Sequence, residues 1–111
     1  MPSTEVVIER PQLDAFDREL VDLTIVVPTF KEAPGIEAFL RDLTGSLRRL
    51  GRTFEVIVVD DSSPDGTADV AARALAPEEG HVLRRTGPAS LSHSVIDGFR
   101  RGRGRVLGVM D

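Results

Sequence analysis

Two carboxylates, Asp60 and Asp61, stand side by side directly after an aliphatic run in the stretch "VIVVDDSSPDGT". A third acid, Asp111, follows the apolar run "VLGVM", and Glu32 lies just past the run "TIVVP". A carboxylate accepts hydrogen bonds only, so acids placed this way suit N–H donors or a hard cation. Adjacent like charges at the end of an apolar segment need a reason, because uncompensated burial is costly. One reason is a binding site. The other is a turn in which Asp61 bonds backbone amides as an Asx-turn. Spacing alone leaves both open.

The elements that must carry these acids are legible. Residues 23–28 and 54–59 are β-branched apolar runs, and the unbroken second run predicts a strand covered on both faces, as in a parallel sheet. Between them Ile36, Phe39, Leu40, Leu43, Leu47 and Leu50 recur at helical steps, with Pro34 in a first turn and Gly51 as the stop. A small-residue helix is predicted over 67–76, with Ser63 or Thr67 as its cap and Pro77 ending it. Residues 81–85 read as a short strand. A helix follows over 90–102, with Leu91, Val95, Ile96 and Phe99 on one face, and then a strand over 105–111 that Gly108 weakens.

Strand and helix alternate throughout, which predicts an α/β fold: a Rossmann-like, mostly parallel sheet with helices on both faces. Ligands of such sheets bind beyond the carboxyl ends of the strands, where Pro28, Asp60, Asp61 and Asp111 all stand. Because the last strand tip has no helix after it, the domain is expected to be truncated at its C-terminus. Residues 1–22 form an N-terminal extension in which Leu13, Phe16, Leu20 and Val21 fit one helical face, and residues 23–111 form the domain proper.

Composition narrows the function classes. The 111 residues are 41% hydrophobic and 29% charged, ordinary values for a globular domain. With no cysteine there is no disulfide or thiolate metal site, and the two histidines, His81 and His93, are too far apart in sequence to suggest a His-rich zinc site. His93 reads as a surface helix residue. There is no apolar run of bilayer-spanning length and no signal-peptide core, so the expected location is the cytoplasm or the cytoplasmic face of a membrane. Charge is uneven: residues 1–80 carry 16 acids against 8 bases, residues 81–111 carry 2 against 6. The run "RRGRGR", 100–105, reads as a solvated helix end, or as a contact for anionic lipid headgroups. Lys31 is the only lysine among 14 basic residues. No nucleic-acid signal is present.

"TIVVPTFKE", "FEVIVVDDSSPDGT" and "VLGVMD", taken together, resemble the N-terminal half of family 2 glycosyltransferases of the GT-A fold, most closely the polyprenyl- and dolichol-phosphate mannose synthases. The resemblance runs from about Leu23 to Asp111. It implies that Pro28, Phe30 and Glu32 cradle a nucleotide, that Asp61 with the backbone of Val59 reads its base, and that Asp111 is the first acid of an Asp-x-Asp element holding Mg²⁺ or Mn²⁺. Phe30 and Lys31 replace the tyrosine and asparagine common in the family, so Phe30 packs without a hydroxyl bond. Asp60 is left as an organiser of backbone. The family also brings a basic residue near the donor at Arg84 or Arg85, although the spacing here reads both as exposed arginines at a strand end. The implied activity is inverting transfer of a sugar from a GDP- or UDP-sugar to a lipid phosphate or saccharide. Catalytic residues are expected beyond residue 111, so that this chain alone carries no turnover.

The residues chemically suit these roles. A carboxylate can take the ring N–H of uracil or guanine, and a strand-tip acid beside a diphosphate requires a cation between them. Two other readings compete. A receiver-type signalling domain also pairs acids at a strand tip, but closes its first strand with them rather than its second. A nucleotide-binding module without catalysis is the third reading.

Overall fold

The two unbroken aliphatic runs occupy the middle of a five-stranded sheet. A computed structural model describes residues 19–111 and the backbone of Val6–Glu9. Its elements are β1 (Val6–Glu9), β2 (Val21–Thr29), α1 (Ala33–Arg49), β3 (Phe54–Asp60), α2 (Thr67–Ala74), β4 (Gly80–Arg84), α3 (Leu91–Arg101) and β5 (Gly104–Val109). The sheet order is β1-β5-β2-β3-β4. Strands β2 to β5 are mutually parallel, and β1 lies antiparallel on β5 at the edge. The Rossmann-like expectation is met. From β2 the chain winds outward through β3 and β4, then returns to place β5 on the other side of β2, which makes the β2/β5 border the switch point of the sheet.

Both faces are covered, as the strand composition requires. Ile25, Val27, Val56 and Val58 face α1 and α2 through Ile36, Leu40, Leu43, Leu47, Ala71 and Leu75. The alternate residues Val26, Ile57, Val59 and Val109 face Val95 and Phe99 of α3. Helix α1 begins with its proline in the first turn and ends just before Gly51, whose φ of 69° a glycine adopts without strain. Leu50, expected on the apolar face, lies past the helix end and is exposed.

Helix α3 departs from the apolar face read from sequence. Its buried residues are Ser94 and Gly98, while Leu91 and Ile96 are exposed. A Cβ at Gly98 would stand 2.5 Å from Val26 Cγ1, so the helix approaches the sheet through its small residues. Hydrophobic periodicity weights large side chains and cannot see a seam of this kind.

Residues 1–22 also differ from expectation where they are described. Val6–Glu9 is a strand rather than unassigned extension, Val21 opens β2 rather than closing a helical face, and the proposed division at 22/23 falls within β2. Leu13 and Phe16 lie outside the described residues.

A buried polar knot closes the amino-terminal rim. Thr24 Oγ1 donates to Glu55 Oε2 at 2.7 Å and accepts from the Gly104 N–H at 2.8 Å. Glu55, only 3% exposed, also accepts from the Arg103 N–H and pairs with its guanidinium at 3.4 Å. Three strands meet in this knot, and Arg103 therefore leaves the solvated arginine run. Glu55→Ala would orphan the buried Thr24 hydroxyl and the partly buried Arg103 N–H; unfolding in urea should show a loss of about 2–4 kcal/mol at unchanged slope.

Candidate active site

The two adjacent acids face different partners. Asp60 is buried and turns toward β2 and its own loop: Oδ1 accepts from Thr29 Oγ1 at 2.8 Å and Ser63 Oγ at 2.6 Å, and Oδ2 from the Ser63 N–H at 2.9 Å. It organises the backbone, as its expected role requires. Asp61 meets Arg85 Nη1 at 2.5 Å and accepts from the Ser90 N–H at 2.5 Å. Repulsion between the pair is thus offset by separate sets of donors.

The loop after β3 also finishes the loop after β2. Ser63 Oγ accepts from the Lys31 N–H, Thr67 Oγ1 from the Glu32 N–H, and Asp65 Oδ2 from the Ala33 N–H, at 2.9, 2.9 and 3.2 Å. These amides open α1, which has no side-chain cap of its own. Asp65 also accepts from the Thr67 hydroxyl and from its N–H at 3.1 Å. The sequence reading placed Ser63 or Thr67 as the cap of α2, but Gly66, at φ 84°, is the capping position, and Asp65 accepts from the Thr67 N–H instead. Bonds from the Thr67 hydroxyl, then from the Ala33 and Thr67 amides, hold the Asp65 carboxyl below its ordinary range.

At the switch point these loops enclose a cavity of about 470 Å³. Pro28, Phe30, Glu32, Asp61 and Asp111 line it, together with Thr29 and with Ala89, Ser90, Leu91 and Ser94 at the start of α3. Five of the six site residues named from sequence are therefore brought together, including two acids from different strand tips. Val59 is not among them: it is fully buried between Pro28 and Leu83 in the ladders, facing α3. Phe30 and Leu91, 46% and 61% exposed, are apolar groups open to the cavity. Leu91 was hidden in the sequence as a presumed core residue of α3.

Arg85 is the larger omission. Expected at the surface, it is mostly buried, joined to Asp61 and, at 3.1 Å, to Asp97. Its N–H donates to the Asp60 carbonyl at 2.8 Å and its carbonyl accepts from Ser62 Oγ. Only the parallel register that sets Asp60 opposite Arg84 brings Arg85 beside Asp61. Arg84 remains exposed and pairs with Asp69 at 2.8 Å. His93 is exposed, as expected. Arg100 and Arg101 end α3 and line a separate surface cavity with Arg84, Arg85 and Thr86.

The cavity is electrostatically suited to a cation. Partial desolvation raises the Glu32 carboxyl above its ordinary range; the Phe30 amide pulls it down, and Asp111, Asp60 and Asp65 push it up again. Glu32 is exposed as a residue, so its crowding is local to the carboxyl. Among the described residues no group of three or more acids, histidines or cysteines forms a metal cage. Acids lacking a full cage fit a hard divalent ion that takes one or two carboxylates and fills its shell with phosphate oxygens and water.

Comparison with known proteins agrees with this geometry. The model of the glycosyl transferase family 2 domain matches residues 24–111. The chain belongs to that family. It is 35% identical to the dolichol-phosphate mannosyltransferase of Pyrococcus furiosus over 80% of this chain and 25% of that protein. It is 40% identical to the undecaprenyl-phosphate mannosyltransferase of Micrococcus luteus over 77% of this chain and 34% of that protein. The structure of the mannosyltransferase PcManGT from Pyrobaculum calidifontis, in complex with GDP-Man and Mn²⁺, superimposes with a TM-score of 0.63 at 28% identity, covering 76% of this chain and 25% of the other. The chain thus spans about a quarter to a third of the length of these relatives. Family membership carries the GT-A expectation and rules against the receiver reading.

Glu32 supplies a test by pH. Its raised folded-state affinity for protons means that the native state gains from protonation, a gain lost as pH rises through the folded titration. Glu32→Gln should therefore melt higher than the parent at neutral pH. The difference should vanish at acid pH, where the parent carboxyl is itself neutral.

Proposed function

We propose that the chain forms the donor-binding part of an inverting family 2 mannosyltransferase that uses GDP-mannose or a related nucleotide sugar and a polyprenyl phosphate acceptor. The observation that carries the reading is the convergence of Phe30, Glu32, Asp61 and Asp111 on one cavity at the switch point. The curated relatives named above are mannosyltransferases of dolichol or undecaprenyl phosphate, and PcManGT was solved with GDP-Man and Mn²⁺.

The residues divide the work by their chemistry. Asp61 has spent two acceptor sites on Arg85 and the Ser90 amide, and a carboxylate with about four lone-pair sites retains capacity for the N–H groups of guanine or uracil. Phe30 and Leu91 offer apolar surface to the base or ribose, and Pro28 shapes the wall. Ser94 Oγ, buried beside the cavity, has no hydrogen-bond partner among the described residues. Asp111, with Glu32 at hand, would hold Mg²⁺ or Mn²⁺, which when bound neutralises charge on the departing nucleoside diphosphate. A phosphate acceptor is already anionic, so its attack needs little help from a general base.

No helix among the described residues is long and apolar enough to cross a membrane. The acceptor phosphate is proposed to arrive at the carboxyl-terminal rim, where the cavity opens.

Calorimetry with GDP-mannose and UDP-sugars, with and without Mn²⁺, tests the reading. Asp61→Asn should weaken binding at least about 10-fold, the scale of one charge-assisted hydrogen bond. Asp111→Asn should remove most of the gain that Mn²⁺ gives. Binding by Asp61→Asn equal to the parent would dismiss the base-reading role, leaving the chain without its proposed recognition of the donor.

A further inference from the structure

A second cavity, about 530 Å³, adjoins the first on the α1 side and shares Pro28, Glu32 and Asp111 with it. Lys31 lines this second cavity and, among the described residues, is the only basic one lining either. Its backbone is unusual: φ is 55°, in the left-handed region that a lysine rarely adopts and that asparagine or glycine tolerates better. The conformation is held from outside the residue. The Lys31 N–H donates to Ser63 Oγ at 2.9 Å, and the ammonium lies 5.2 Å from the centroid of the Phe30 ring. Among the described residues the ammonium forms no ion pair, although Glu32 and Asp111 line the same cavity.

We propose that Lys31 binds a phosphate oxygen where the two cavities meet. The inference rests on the donor-binding reading above and adds a residue to it. A nucleotide whose base lies at Asp61 must bring its diphosphate past the carboxylates of Glu32 and Asp111. A divalent cation offsets part of that negative charge, and a lysine at the threshold offsets more. Ammonium is a compact, rotatable point charge that suits a phosphate without requiring bidentate geometry. The left-handed backbone, unfavourable for this side chain, is then a local strain retained at a working site. The phosphate has two sources, the β-phosphate of the donor or the phosphate of the acceptor, and both present the same oxygens.

The test uses the chain itself with Mn²⁺ and three probes: GDP, GMP, and farnesyl phosphate added to the GDP-loaded chain. Lys31→Met removes the charge while keeping an unbranched side chain in the same backbone conformation. If the donor is the source, Lys31→Met weakens GDP about 10- to 30-fold and leaves GMP within about twofold. If the acceptor is the source, GDP binding is unchanged and farnesyl phosphate binding falls by a similar factor. Lys31→Asn should show the same loss of phosphate affinity together with a higher melting temperature, because asparagine is better suited to the left-handed backbone. Opposite signs for affinity and stability separate a charge role from a folding role. Unchanged binding of all three probes by both variants would overturn the proposal while leaving the donor reading intact. A parent chain that binds neither nucleotide would bring down that reading and the lysine's role with it.

Discussion

The site depends on one loop satisfying another. Strands β2 and β3 end together at the carboxyl rim, and each is followed by a turn that leaves backbone amides without intrinsic partners. The turn after β3 supplies the missing acceptors through Ser63, Asp65 and Thr67, which take the amides of Lys31, Ala33 and Glu32. Asp60 locks the same junction from below by holding Thr29 and Ser63. Phe30 and Glu32 are thereby fixed at the cavity by side chains more than thirty positions away.

This constraint explains why two acids can sit together. A strand presents successive side chains in opposite directions, so neighbours in sequence need not be neighbours in space. Asp60 has the hydroxyls and amide of its own rim, while Asp61 has Arg85 and the amide of Ser90, the capping residue of α3. The arrangement also gives the acids distinct uses. The inward carboxylate is consumed by structure, whereas Asp61 keeps acceptor capacity facing a cavity. Of the two readings of the pair, the turn is built by Asp60 rather than by Asp61, and Asp61 lines the cavity.

The two rims of the sheet divide labour. At the amino-terminal rim, Glu55, Thr24 and Arg103 form a satisfied polar knot joining β2, β3 and the entry to β5. At the carboxyl-terminal rim partial desolvation, and after it the charges of Asp111, Asp60 and Asp65, raise the proton affinity of Glu32. A saturated polar group stabilises; one left in excess negative potential is disposed to take up a cation. The close seam between α3 and the sheet at Gly98 brings the first turn of that helix to the cavity, so packing on one face also shapes the binding surface.

The sequence by itself determined the parallel α/β class, the strand tips and half of the cavity residues, because uninterrupted aliphatic runs and helical periodicity are local properties. Pro28, Phe30, Glu32, Asp61 and Asp111 were readable because ligands of such sheets collect at strand ends and because the motifs around them are specific. Only the tertiary structure decided that Arg85 is buried against Asp61 and that Leu91 opens on the cavity. Those outcomes depend on parallel register and on how closely α3 approaches the sheet. The strand at Val6–Glu9 and the ion pair of Arg103 with Glu55 are likewise long-range pairings. No local pattern encodes them, since each partner reads alone as an ordinary polar or apolar residue.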